Sequence, residues 1–100
     1  MLNTTKRQEG DALVVALSGR LDTNTAPVFQ NELEPMLGSI SGLTLDCEGL
    51  DYISSAGLRV LLTFEQEMEE QGKTMKLCRV NDMIRDVFDV TGFLDILTIE

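Results

Sequence analysis

The segment with the clearest chemical potential is residues 43–62, LTLDCEGLDYISSAGLRVLL. Apolar and polar residues alternate through its first five positions, which predicts a strand. A short loop over residues 48–53 then leads to a leucine-rich helix, with Ser54 and Ser55 at its start. A serine there either caps the helix through its oxygen, or presents a hydroxyl where free amides and the helix dipole tolerate added negative charge. Local chemistry leaves both interpretations open.

The absence of certain residue types excludes several kinds of catalytic site. The chain has no histidine, which excludes histidine-based triads, histidine general bases and histidine-ligated metals. Its two cysteines, Cys47 and Cys78, are too far apart for a zinc pattern, and we expect two buried thiols in a reducing compartment. A serine hydrolase needs a base beside its serine, and the sequence places neither Lys73 nor Lys76 there. We therefore expect no enzymatic activity and no cofactor or metal.

Strand patterns recur along the chain. The run DALVVALS is too short for a typical helix and suits a strand buried on both faces. A weaker edge strand precedes it, and alternating residues predict strands further along. The predicted strands cover residues 2–8, 11–18, 43–47, 74–80 and 95–99.

Three helices are predicted between the strands. The first begins at a cap on Thr23 or Thr25, has Pro27 in its first turn and is kinked near Pro35, before Gly38 closes it. The second covers residues 55–71, and Gly72 follows as its C-terminal cap. The third is capped by Asn81 or Asp82 and ends at Gly92.

This alternation of strands and helices predicts the architecture. Strand–helix–strand units require right-handed crossovers and a mainly parallel sheet, whereas the first two strands are close enough to pair antiparallel. We expect a small α/β domain, with residues 1–100 forming a single unit. The serines then lie at the carboxyl end of a central strand, where open α/β sheets usually bind their partners.

Charge and hydropathy limit the possible partners. The net charge of −9 disfavours nucleic acid and anionic membrane surfaces. Residues 21–72 carry ten acidic side chains and one basic one, Arg59, so the excess serves solubility or forms a docking surface for a basic partner. The longest aliphatic run, residues 12–17, is far shorter than the roughly 20 residues of a membrane-spanning helix. With no apolar leader at its start, the chain is expected to be cytoplasmic.

Three motifs together resemble the STAS domain family, specifically its stand-alone bacterial anti-sigma factor antagonists. They are GRLD at residues 19–22, DYISSAGLRVLL at residues 51–62 and IRDVFDVTGFLDIL at residues 84–97. The resemblance covers nearly the whole chain. It implies a mostly parallel, mixed sheet with about three to four helices packed mainly on one face.

The resemblance also implies a partner switch. In this family the unmodified antagonist binds an anti-sigma factor that is also a GHKL-type serine kinase, and thereby releases a sigma factor. Phosphorylation of one serine ends the complex, and a 2C-type phosphatase restores it. Alignment on the Gly-Leu pair puts that serine at Ser55, with Ser54 as the fallback because it occupies the place where relatives often have an aspartate.

A contact surface follows from the same resemblance. It combines the loop after the first buried strand with the start of the second helix: Asp22, Thr23, Ser54, Ala56, Gly57 and Arg59. Simpler interpretations stay open for two of these residues, since Asp22 serves equally as a turn or capping acid and Arg59 as a solvated helix charge. Tyr52 and Ile53 fit a core lid as well as an interface.

Other small domains share some of these sequence features. An acyl carrier protein is also small and acidic, but it is all-helical and has aspartate directly before its modified serine. A STAS accessory subunit that docks on a transporter ATPase, such as that of a lipid-transport ABC system, remains the alternative. Such a subunit would bind its partner without being regulated by phosphorylation. A nucleotide-binding module is weakly supported, because no phosphate-binding loop pattern is present.

Overall fold

Apolar periodicity produces the sheet and its helices much as expected. A computed structural model describes residues 1–100. The strands are β1 (Leu2–Glu9), β2 (Ala12–Leu21), β3 (Gly42–Ile53), β4 (Thr74–Cys78) and β5 (Thr98–Ile99). The helices are α1 (Ala26–Leu33), α2 (Ser55–Glu70) and α3 (Asp82–Thr91), with 3-10 turns at Glu34–Ser39 and Phe93–Asp95.

The five strands form one mixed sheet in the order β1-β2-β3-β4-β5. β1 pairs antiparallel with β2, and every later neighbour is parallel. Each parallel step is bridged by a helix, as crossover connections require. The expected α/β architecture with an antiparallel N-terminal element is therefore confirmed.

The helices cover one face of the sheet. Leu13, Leu43 and Met75 are register neighbours on that face, and all three are buried together with the inner residues of the helices in a single core. Phe29 of α1 and Phe64 of α2 meet edge to face, with ring centroids 5.5 Å apart. Such a pair contributes about 0.5–1.5 kcal/mol beyond burial, and it fixes α1 against α2.

The opposite face of the sheet has no helix over it. Val14 and Ala16 of β2 are only half-buried there, so β2 is not covered on both faces as its apolar run predicted. The physical reason lies in the neighbouring strands, because the register partners of Val14 on this face are polar: Arg7 of β1 and Thr44 of β3. None of the three helices is long and apolar enough to cross a membrane.

The largest departure from the sequence prediction is the length of β3. Residues 48–53, predicted as a loop, continue the strand and pair with β2 as far as Ile53. Two register shifts interrupt that pairing, and they break the alternation that identifies a strand in sequence. At the first shift, a side chain on Gly49 would come within 2.9 Å of the Leu17 carbonyl oxygen.

Smaller departures occur at element ends. α1 ends at Leu33 and a 3-10 turn carries Pro35, so the proline ends the α-helix as its missing N–H predicts. β4 stops at Cys78, because the next residue, Arg79, adopts a left-handed φ of 55°. The last strand is only Thr98–Ile99, preceded by a 3-10 turn instead of starting at residue 95.

Candidate functional site

The site is built where β2 and β3 end side by side. The backbone amide of Ser54 donates a hydrogen bond to the Leu21 carbonyl, 2.9 Å away. Gly57, one turn into α2, packs so closely that an added methyl group would lie 2.8 Å from the same carbonyl oxygen. The end of β2 and the start of α2 are thus held together by backbone contacts.

The two neighbouring serines have different environments. Ser54 is the N-cap of α2: its backbone is extended, and its side-chain oxygen accepts a hydrogen bond from the Gly57 amide at 3.3 Å. Ser55 is the first residue of α2; its side chain is exposed and makes no hydrogen bond within the chain. The capping interpretation therefore describes Ser54, while the Ser55 hydroxyl is free at the positive end of the helix dipole.

Asp22 organises the neighbouring loop. One of its carboxylate oxygens accepts hydrogen bonds from the amides of Asn24 and Thr25, each at 3.0 Å. These bonds, led by that from the Thr25 amide, hold the pKa of Asp22 below its usual range. Asp22 is thus the turn acid that leads the chain into α1. Thr23 next to it is exposed on the loop.

The predicted cap of α1 differs in detail. Thr25 occupies the N-cap position, but its hydroxyl donates to the Arg20 carbonyl and accepts from the Asp22 amide, both at 2.8 Å. It therefore ties the loop back to β2, and the first amides of α1 receive no cap from a side chain.

Arg20 and Tyr52 are two neighbours of this loop that the predicted surface omitted. They face each other in the β2–β3 register, and the Arg20 guanidinium carbon lies 4.0 Å from the centre of the Tyr52 ring. Arg20 Nε is also 3.8 Å from a carboxylate oxygen of Asp22. Of the two residues whose position was left open, Tyr52 is exposed and Ile53 is buried. Arg20 is part of the GRLD motif, but its contact with Tyr52 depends on the pairing register of β2 and β3, which the sequence does not give.

A shallow groove runs between α1 and α2 next to Ser55. It encloses about 280 Å³ and is lined by Ala26, Pro27, Gln30, Ala56, Arg59, Val60 and Thr63. Arg59 lies exposed on its wall and forms no ion pair within the chain. The fold thus brings Ala56 and Arg59 together with the Asp22 loop around Ser55, whereas Gly57 is buried beneath them and is not exposed to a partner.

The acidic excess is mostly elsewhere. Glu65 and Glu67 are in the second half of α2, and ten positions along a helix correspond to about 15 Å from Ser55 to Glu65. Burial raises the pKa of both carboxyls, and Glu34 raises that of Glu67 further. The carboxylates of residues 21–72 are therefore not one docking surface around Ser55.

The cysteines take no part in this site. Both are free; Cys47 is buried, but Cys78 is only half-buried, so the expectation of two buried thiols holds for Cys47 alone. Burial raises the pKa of Cys47 to about 12, which makes it an unreactive core thiol. No group of three or more cysteine or acidic side chains is arranged to hold a metal ion.

The chain is similar to known proteins in sequence and in fold. The STAS domain model matches residues 3–100. The chain is 28% identical over 98 residues to the anti-sigma-B factor antagonist of Bacillus subtilis, covering 98% of this chain and 90% of the relative. It is 33% identical over 88 residues to BtrV of Bordetella bronchiseptica, provisionally named an anti-sigma factor antagonist, covering 87% and 76%.

A solved structure shares the fold. The Bacillus cell fate determinant SpoIIAA in its phosphorylated form superposes with a TM-score of 0.78 at 18% identity, covering 98% of this chain and 91% of SpoIIAA. At that identity the likeness concerns the fold alone. Together with the family match over nearly every residue, it leads to one conclusion: the chain belongs to the STAS domain family.

Proposed function

We propose that this chain is an anti-sigma factor antagonist whose docking is switched off by phosphorylation of Ser55. The observation that carries the proposal is the exposed, unpaired Ser55 hydroxyl at the first position of α2, beside a groove. Relatives named as anti-sigma factor antagonists align over most of the chain. A structural neighbour has been solved in a phosphorylated form, which supports a modification of this kind.

In the proposed cycle, an anti-sigma factor with GHKL-type kinase activity transfers the γ-phosphoryl group of ATP to Ser55 Oγ. The hydroxyl proton passes to a base of the kinase, and ADP leaves. A 2C-type phosphatase then hydrolyses the phosphoester with water and restores serine and inorganic phosphate. Neither step requires a catalytic group from this chain, which acts as substrate and binding partner without being an enzyme.

The fold tolerates the added charge. A phosphoserine carries about −1.5 to −2 charges at neutral pH. At the first turn of a helix, free backbone amides and the dipole make negative charge favourable by about 0.3–1 kcal/mol. Ser54 already supplies the cap, so α2 does not depend on the Ser55 hydroxyl. Modification should leave the domain folded.

The complex with the anti-sigma factor, by contrast, is destabilised by the added charge. A partner carboxylate about 6 Å from the phosphate, at an effective dielectric of 20–80, is repelled by about 1–6 kcal/mol. Each 1.4 kcal/mol is about a tenfold change in affinity. The Asp22 and Asp51 carboxylates add to the same negative field. The switch is therefore a blocked interface in an unchanged fold.

The proposed contact surface is the set Asp22, Thr23, Ser54, Ala56, Gly57 and Arg59. Arg59 gives this surface a chemical preference, because it is an unpaired cation on the wall of the α1–α2 groove. A partner carboxylate would pair with it, and that same carboxylate would be repelled by a phosphate on Ser55. Ser54 and Gly57 contribute by holding the start of α2 in place.

Copurification tests the proposal. Tagged wild-type chain, Ser55→Glu and Ser55→Ala are expressed in the native host, and the bound proteins are identified by mass spectrometry. Ser41→Glu is the matched control, because Ser41 is an exposed serine immediately before β3, at the end of that strand opposite Ser54. We expect a GHKL-type kinase with the wild type, Ser55→Ala and Ser41→Glu, and its loss with Ser55→Glu.

One alternative has a specific feature in its favour. Ser54 stands where antagonists often have an aspartate, so this chain also fits an accessory subunit that docks on a transporter ATPase without a phosphoswitch. Recovery of such an ATPase with all four chains, and of no kinase, would replace the proposed function with this one.

A further inference from the structure

One flank of α3 carries an apolar row that the core covers only at its middle residue, Val87. Ile84 and Phe88 anchor the helix in the core and are fully buried. Met83 and Val90, by contrast, are 59% and 83% exposed, with half-buried Val87 between them. Spacings of four and three residues align these three side chains along one side of the helix. Exposed apolar side chains in a row are costly to solvate and favour burial against a partner.

An acidic row runs beside the apolar one. Asp82, Asp86 and Asp89 repeat with the same spacing, displaced about 100° round the helix at 3.6 residues per turn. All three are exposed, and none belongs to an ion pair within the chain. Arg85, exposed on the side of this row away from the apolar one, forms no ion pair with them, so the three carboxylates are available to a partner's cation.

We propose that this flank of α3, defined by the apolar and acidic rows, docks a basic amphipathic helix of another protein. A helix with its own apolar row buries Met83, Val87 and Val90, and lysine or arginine beside that row pairs with the aspartates. The proposal rests on α3 alone and does not depend on the function proposed for Ser55.

Charge favours a basic helix over a second copy of the chain, a lipid surface or a nucleic acid. A second copy would bring its own aspartates against these ones, and both copies carry a net charge of −9. Anionic lipid and nucleic acid are repelled by the same row. A basic protein helix both covers the apolar row and neutralises the acidic one, which none of the other partners does.

The test uses a synthetic helical peptide with a leucine row beside a lysine row, and a second peptide of the same composition with its order scrambled. Dissociation constants are measured by fluorescence anisotropy with the full chain, and contacts are mapped by amide chemical shifts. We expect the ordered peptide to shift α3 amides and to bind at least about tenfold more tightly than the scrambled one.

Matched variants separate docking from general attraction to an acidic protein. Met83→Gln/Val90→Gln and Asp86→Asn/Asp89→Asn should each weaken the ordered peptide about tenfold. Glu69→Gln/Glu70→Gln removes the same charge from exposed positions of α2 and should change binding less than about twofold. Thermal melting checks that each variant is folded, as expected for substitutions of exposed side chains.

Several results would overturn the proposal. Three results would show that the effect is due to net charge alone. They are equal affinity for both peptides, an equal loss of affinity in the α2 variant, and amide chemical shift changes centred outside α3. Absence of binding would contradict it directly. If the free chain forms dimers that Val90→Gln abolishes, the flank binds a second copy instead. If the chain binds phosphatidylglycerol vesicles and Val90→Gln abolishes that binding, the flank binds a lipid surface instead.

Discussion

Gly57 of α2 packs directly against Leu21 of β2: a methyl group on Gly57 would lie 2.8 Å from the Leu21 carbonyl oxygen. That carbonyl also accepts the Ser54 amide hydrogen bond. The last carbonyl of β2 therefore sets the position of the first turn of α2. The geometry of Ser55 depends on a contact that only glycine permits.

Gly57→Ala should destabilise the fold. The methyl group meets backbone on one side and Ile53 on the other, so neither neighbour can move aside easily. We expect a loss of about 1–3 kcal/mol in the free energy of unfolding, measured by urea denaturation. Gly38→Ala is the matched control, because its added methyl group meets no atom within 4 Å. A Gly57→Ala chain as stable as Gly38→Ala would show that the contact does not constrain α2.

Substitution of Ser54 and of Ser55 by alanine should have different effects on the free energy of unfolding. Ser54→Ala removes the cap of α2 and should cost about 1 kcal/mol. Ser55→Ala removes a hydroxyl without a hydrogen-bond partner and should leave the unfolding free energy within about 0.5 kcal/mol of wild type. Calorimetric melting of both chains checks this. Equal destabilisation would mean that Ser55 also supports the helix end.

Glu67 should limit stability at neutral pH. Its pKa is raised by burial and by Glu34, so the folded state binds its proton more tightly than the unfolded state does. The resulting penalty is absent below the ordinary glutamate pKa of 4.5 and grows as the pH rises through that value. Glu67→Gln should therefore raise the melting temperature at pH 7 and leave it almost unchanged at pH 4.

Asp51→Asn is the control for that experiment. It removes one negative charge from an exposed residue of β3, outside the helix that carries Glu67. A rise at pH 7 of the same size in Asp51→Asn would attribute the effect to net charge. A rise in Glu67→Gln that is equal at both pH values would exclude titration of Glu67 as its cause.

Much of this fold is readable from local patterns. The alternation in β4, the position of Pro35 and the glycine after α2 each act over a few residues, so propensity and capping rules predict them. Ser55 was likewise predicted at the start of a helix that follows a central strand, and the fold confirms that position. The role proposed for it stays a prediction.

What the sequence did not predict depends on pairing between distant segments. β3 continues to Ile53 only because two register shifts let it follow β2, and those shifts erase its period of two. The contact between Arg20 and Tyr52 has the same origin. The differing environments of Ser54 and Ser55 depend on the one-residue position at which α2 begins, which local patterns fix poorly.

The most direct test of the account compares unmodified chain with chain phosphorylated stoichiometrically on Ser55, using the purified anti-sigma factor kinase as the binding partner. Isothermal titration gives the dissociation constants, and calorimetric melting of the same samples reports the fold. We predict at least about a tenfold loss of affinity with an unchanged melting temperature. Equal affinity of the two forms, or a phosphorylated chain that has unfolded, would contradict a switch that acts by blocking the interface.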